Sequence, residues 1–127
     1  MYITHIAIWT RDLEAMKAFY TRYFNGISNE KYINPIKKFE SYFIRFDDGA
    51  QLELMRKQSV DKPTDSEERL GLTHFAFKLS SKEEVVALTE RLRSDGFLIV
   101  GEPRTTGDGF FESVVLDVEG NRIELVA

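Results

Sequence analysis

The sequence contains no cysteine. Disulfide scaffolds, thiolate zinc sites and cysteine nucleophiles are excluded at the outset. Long apolar runs are absent as well, since none approaches the ~20 residues of a membrane-spanning helix. The first residues, Met1-Tyr2-Ile3-Thr4-His5, show no basic stretch leading into an apolar one. No secretory leader is read there, and a cytoplasmic location is expected. Basic residues are outnumbered 17 to 21, giving a formal charge of −4 and a pI near 5.2. That sign disfavours duplex binding, so neither nucleic acid nor membrane is expected as a partner. Histidine is scarce too, with His5 and His74 alone. What remains is 43% hydrophobic and 30% charged, the balance of an ordinary folded chain. Its 127 residues suit one domain able to bury its own core.

An internal repeat organises the chain. Thr4-His5-Ile6-Ala7-Ile8 reads against Thr73-His74-Phe75-Ala76-Phe77. Gln51-Leu52-Glu53-Leu54-Met55 reads against Arg122-Ile123-Glu124-Leu125-Val126, at nearly equal distance from the matching histidine. Two modules follow, about 1–56 and 71–127, joined by a polar linker over 57–70.

Each module reads as β-α-β-β-β. In the first, Ile3 to Trp9 is a strand and Asp12 caps a helix. Leu13, Met16, Phe19, Tyr20, Tyr23 and Phe24 recur at helical spacing, and Gly26 ends that helix. Ser41 to Phe46 and Gln51 to Met55 form strands around an Asp47-Asp48-Gly49 hairpin turn. In the second, Gly71 to Leu79 is a strand. Ser81 and Glu84 fit a capping box, Val85, Leu88 and Leu92 form an apolar stripe, and Gly96 stops the helix. Phe97 to Val100, Phe111 to Val118 and Arg122 to Val126 are strands. Gly101 to Gly109 reads as a flexible polar stretch.

Alternation decides which side chains share a face. His5, Ala7 and Trp9 point one way; Ile6 and Ile8 point the other. Glu53 and Glu124 sit between apolar neighbours that face the core, so each carboxylate belongs to its histidine's face. One such pair alone reads as a hydrogen-bonded strand residue and a solvated carboxylate. Its repetition at matching places points instead to a divalent metal held by His5, Glu53, His74 and Glu124, with positions left for water or substrate. Without thiolates, Ni²⁺, Co²⁺, Mn²⁺, Fe²⁺ and Zn²⁺ all suit this donor set.

These features resemble the vicinal oxygen chelate superfamily, and within it the glyoxalase I branch. The resemblance rests on the paired modules, the His-x-Ala strand starts, Leu52-Glu53-Leu54, and the ending Asp117-Val118-Glu119-Gly120-Asn121-Arg122-Ile123-Glu124-Leu125. It implies an α+β fold whose tandem modules form a curved mixed-sheet cup. It also implies a metal-dependent lyase or isomerase that moves a proton on a small substrate with vicinal oxygens, like lactoylglutathione lyase. The ligand pattern of the branch falls on His5, Glu53, His74 and Glu124. By the same resemblance Glu124 is the catalytic base and Glu53 its symmetric counterpart, and the protein is a homodimer.

One position departs from the branch. Its glutathione-gripping arginine falls on Trp9, and an indole cannot make a bidentate pair with a carboxylate. Trp9 is therefore a candidate wall for an apolar part of the substrate. Arg11 and Arg104 are candidate substitute cations, and Gln51 is a candidate pocket residue, since epimerases of the superfamily use a glutamine ligand. Tyr42 is weighed as a donor behind the ligands and Lys78 as a contact for an anionic substrate, with packing and plain exposure as their ordinary roles. Competing readings are an extradiol dioxygenase, a thiol transferase and a non-catalytic drug-binding module. The first needs a further histidine, the second an open fourth position, and the third has lost the ligands.

Overall fold

The computed structural model describes residues 1–61, 71–107 and 109–127. The chain divides into two compact units, Met1–Thr64 and Asp65–Ala127. Each is a mixed sheet with one helix packed on it.

The first unit runs β1 (His5–Trp9), α1 (Leu13–Tyr23), β2 (Ile27–Ser28), β3 (Tyr32–Asn34), β4 (Phe39–Arg45) and β5 (Gln51–Lys57). Its sheet has the order β1-β5-β4-β2, with β3 also paired to β4. The β1–β5 pair is parallel and the rest are antiparallel. The second unit runs β6 (His74–Lys78), α2 (Lys82–Ser94), β7 (Ile99–Thr105), β8 (Phe111–Leu116) and β9 (Arg122–Val126). Its order is β6-β9-β8-β7, again with a single parallel pair, β6–β9. The two units are thus tandem α+β modules. The second is β-α-β-β-β; the first adds the short strand β3.

Helix starts follow the sequence. The Asp12 carboxylate accepts from the Ala15 amide at 2.9 Å, satisfying one amide of the first turn of α1. Ser81 Oγ does the same for the Glu84 amide at 3.2 Å. The Glu84 carboxylate reaches back to the Ser80 amide rather than that of Ser81. The buried faces are Leu13, Met16, Phe19, Tyr20 and Tyr23 on α1, and Val85, Thr89 and Leu92 on α2. They meet Tyr42, Ile44, Leu52 and Leu54 in one unit and Val115, Ile123 and Leu125 in the other. Thr89 and Ser113, both buried, satisfy each other through a 2.7 Å hydroxyl contact.

Several boundaries differ from the sequence reading. Lys57 ends β5 rather than opening a linker; residues 62–70 of that linker lie outside the described residues. The stretch read as a flexible loop from Gly101 is strand as far as Thr105. Its pairing with β8 slips around Gly101, so Gly101 and Pro103 are carried on an irregular edge strand where a missing amide is tolerated. Asp108 in the same stretch is outside the described residues. The first strand begins at His5 and the second histidine strand at His74, shorter at their starts than the apolar pattern indicates.

Gly26 has a different role from the one assigned. The left-handed residue after α1 is Asn25, at φ 53°. Gly26 is required by proximity. A Cβ there would run into the Ile44 side chain and come within 3.0 Å of the Tyr20 carbonyl oxygen. Ile44 is fully buried and cannot swing into solvent. Replacing Gly26 with alanine is expected to cost about 1–3 kcal/mol of stability through overpacking. A urea melt checks this; an unchanged midpoint would mean that β4 can shift to admit the methyl.

Candidate functional site

The site begins with register. In the first unit His5 lies opposite Gln51 and Ala7 opposite Glu53. In the second, His74 lies opposite Arg122 and Ala76 opposite Glu124. Each glutamate therefore sits two residues along from its histidine on the neighbouring parallel strand, across from an alanine. The alanine methyl leaves open the space into which the two longer side chains lean.

They do lean together. His5 Nε2 lies 3.8 Å from a Glu53 carboxylate oxygen, and His74 Nε2 lies 3.3 Å from Glu124. The carboxylates are mostly covered, at 16% and 20% side-chain exposure, while the imidazoles are open at 43% and 40%. The other nitrogen of His5, Nδ1, contacts Thr4 Oγ1 at 3.1 Å, and Phe43 packs edge-on to the ring with centroids 5.4 Å apart. Both contacts orient Nε2 toward Glu53. A metal-binding histidine is commonly oriented this way, through its second nitrogen.

This geometry fits a divalent ion. Two donors ~2.1 Å from one ion lie about 3.0 Å apart at a right angle and about 3.4 Å apart at the tetrahedral angle. The His74–Glu124 separation falls in that range and the His5–Glu53 separation just outside it. Among the described residues, no third His, Cys, Asp or Glu joins either pair within its unit. Each unit thus carries one two-donor pair.

The turn before β9 fixes the second pair. Asp117 is buried, and its carboxylate accepts from the Glu119 and Asn121 amides and the Asn121 side chain, each at 2.9 Å. Gly120, at φ 85°, completes the turn. The Asp-x-x-Gly-Asn segment is therefore a rigid entry that starts β9 in the register placing Glu124 on the histidine face.

Other residues singled out from the sequence fall as follows. Trp9 and Gln51 share the His5 face and are exposed. Lys78 is exposed on the His74 face. Tyr42 is buried on the opposite face, against α1, and its hydroxyl donates to Glu14 at 3.1 Å; it is not behind the ligands. Lys31 grips the same Glu14 at 2.6 Å, and this hydrogen bond holds the Glu14 carboxyl below its ordinary pKa. Both candidate substitute cations are engaged elsewhere. Arg11 donates twice to the Asp61 carbonyl. Arg104 lies 3.4 Å from the Glu112 carboxylate and donates to the Glu102 carbonyl.

Sequence reasoning missed Phe43, Phe39 and Tyr32, which surround His5 and Trp9 on this face. Alternation along β4 sets Phe39 and Phe43 on the face opposite Tyr42 and Ile44, and that alternation is the signal that finds them. Tyr32 lies on β3, which no periodic pattern marked.

Comparison with known proteins agrees with this architecture. Residues 2–125 match the profile of the Glyoxalase/Bleomycin resistance protein/Dioxygenase superfamily. The chain is 28% identical to the uncharacterized protein YqjT of Bacillus subtilis, over 97% of this chain and 96% of that one. Glyoxalase I from Zea mays superposes with a TM-score of 0.80 at 26% identity over 98% of this chain, which spans 44% of the maize chain. A glyoxalase family protein from Enterococcus faecalis superposes with a TM-score of 0.80 at 25% identity, covering 98% and 96% of the two chains. With its profile match spanning nearly the whole sequence and its paired βαβββ-type modules, the chain belongs to the Glyoxalase/Bleomycin resistance protein/Dioxygenase superfamily.

Proposed function

We propose that the protein is a metal-dependent lyase or isomerase of glyoxalase type, transferring a proton on a small substrate with vicinal oxygens. The observation that carries this reading is the repeated register, which sets a histidine nitrogen against a glutamate carboxylate in each unit. His5, Glu53, His74 and Glu124 would hold one divalent ion, with Ni²⁺, Co²⁺, Mn²⁺, Fe²⁺ and Zn²⁺ compatible with nitrogen and oxygen donors. The reading includes a cytoplasmic homodimer. No described helix is long and apolar enough to cross a membrane.

When bound, the ion supplies Lewis acidity to a substrate's adjacent oxygens. The chain's residues do the rest. Thr4 and Phe43 hold the His5 ring. Ala7 and Ala76 keep the approach to each pair clear. Glu124 takes the proton from the carbon next to the carbonyl and returns it to the adjacent carbon. Glu53, its symmetric counterpart, would serve as a metal donor.

Two donors from each unit give one ion per chain, whether the halves join within a chain or across a two-fold axis. Elemental analysis after metal supplementation is expected to find about one equivalent. Removing it should lower the melting temperature, since a ligand at a hundredfold excess over its dissociation constant contributes about 2.7 kcal/mol. A melting curve indifferent to verified metal loss would refute the site.

Glu124→Gln keeps the size and an oxygen donor but cannot accept a proton. Turnover should fall about 10²–10⁴-fold with metal largely retained, and Glu53→Gln should cost less. Equal losses, or a greater loss at Glu53, would reassign the base.

The hemithioacetal of methylglyoxal and glutathione is expected to be a poor substrate with every metal tried. Trp9 stands where a carboxylate grip is needed, and Arg11 and Arg104 are committed to other partners. A missing charge-assisted hydrogen bond of about 1.5–3 kcal/mol weakens binding by roughly one to two decades. Turnover with kcat/KM above ~10⁴ M⁻¹ s⁻¹ would show that glutathione is used after all.

A further inference from the structure

The two units differ most where the first has its extra strand. β3 pairs with β4 as Tyr32 opposite Ser41 and Asn34 opposite Phe39. Among the described residues this hairpin has no counterpart in the second unit. It places Tyr32 and Phe39 on the face that carries His5, Trp9 and Glu53, as the pairings of β4 with β5 and of β5 with β1 require. The rings meet there. Trp9 stands perpendicular to Phe39 with centroids 6.2 Å apart, and Phe39 is 6.1 Å from Tyr32.

Trp9 and Tyr32 nevertheless remain 44% and 51% exposed. An aromatic track of this kind, left open on a sheet face, marks a surface made for an apolar guest. Its setting selects the guest. The track is continuous with the His5–Glu53 pair: Trp9 is four residues along β1 from His5 and two residues beyond the position opposite Glu53. At the far end Lys57 lies opposite Phe39. The face therefore runs from the His5–Glu53 pair to the rings, with the Lys57 cation beside Phe39. A small molecule with oxygens at one end and a ring at the other uses the whole face. Lys57 disfavours a cationic ring.

We propose that Trp9, Phe39 and Tyr32 seat an aryl group, so that the substrate is a vicinal-oxygen compound with a neutral or anionic aryl arm about 7–13 Å from its oxygens, the two to four residues of strand rise that separate Trp9 from the levels of Glu53 and His5. This rests on the reading of His5 and Glu53 as metal donors for the oxygen end, while the aryl seat itself stands on the rings. Thus Trp9 takes the place of a charged grip with a stacking one, and the substrate class moves from a peptide-like thiol adduct to an arylalkyl compound.

The test uses three hydroxamates, which carry vicinal oxygens. 4-Phenylbutanohydroxamate has a ring on three methylenes, hexanohydroxamate a chain without a ring, and acetohydroxamate the head alone. Trp9 is the only tryptophan, so its emission reports directly on the seat. With Ni²⁺-loaded protein, the phenyl compound should bind about tenfold more tightly than hexanohydroxamate and quench Trp9. Calorimetry should show that Trp9→Ala and Phe39→Ala each erase this margin, that Trp9→Phe restores most of it, and that acetohydroxamate binding is unchanged in all three. Without metal the phenyl compound should still quench Trp9 weakly and hexanohydroxamate should not. Quenching by the phenyl compound with no acetohydroxamate binding would sink the metal reading and leave the aryl seat standing. Acetohydroxamate binding with no margin for the ring would do the reverse. Absence of quenching with and without metal would overturn the seat. So would light scattering in which Trp9→Ala turns a dimer into a monomer, because the rings would then be a contact between copies.

Discussion

The structure depends on the register of two parallel strand pairs. A slip of one residue in β1 against β5 would turn every side chain of β1 to the other face. His5 would be buried under α1, and Ile6 and Ile8 would face outward. The register is held by what lies on the other side of the sheet. Ile8, Leu52, Leu54, Tyr42 and Ile44 pack under α1, and Leu125 and Ile123 pack under α2. The chemistry of the exposed face is thus fixed by hydrophobic burial on the hidden one. The pairs themselves contribute little to stability, being half-open His–Glu contacts in a solvated setting. They are placed by the core rather than placing it.

The strand entries make the same point in a polar idiom. Gln51 enters β5 with its amide donating to the Thr4 carbonyl at 2.9 Å. Asn121 leads into β9 from the Asp117 turn. Each entry secures the strand next to the residue that must be aligned. A motif rich in Asp, Gly and Asn beside a glutamate invites reading as a cluster of ligands. Here Asp117 is spent on the Glu119 and Asn121 amides and the Asn121 side chain, and Glu124 is turned to the open face.

Much of this was legible in the sequence, for physical reasons. The core and the histidine strands show because burial on one face imposes a period of two and helical burial a period near 3.6. The repeat shows because the same register needs the same small residue, Ala7 or Ala76, across from each glutamate. What was hidden is short or irregular. β2 spans two residues and β3 three, too few for a period to declare itself. The edge strand β7 carries glycine and proline, which read as loop until a neighbour supplies the hydrogen bonds. Gly26 resembled a helix stop because its real constraint, the approach of Ile44, is a tertiary contact. The aromatic neighbours of Trp9 come from β3 and β4, whose pairing brings in residues far along the chain from Trp9.

The two units agree at some positions and differ at others. The paired positions match: His5 with His74, Ala7 with Ala76, Glu53 with Glu124. The flanking positions on the same faces do not. Trp9 corresponds to Lys78, Gln51 to Arg122, and Phe43, opposite Glu53, to Val114, opposite Glu124. One face is walled by rings and the other by cations and small apolar groups. A metal-donor pair tolerates little variation, because its spacing must match one ion. The walls are free to vary, since any side chain that keeps the strand's alternation leaves the register intact. On the proposed reading, recognition would reside in the positions where the repeat fails, and the chain's own asymmetry, more than its histidine–glutamate pairs, would set which substrate it takes.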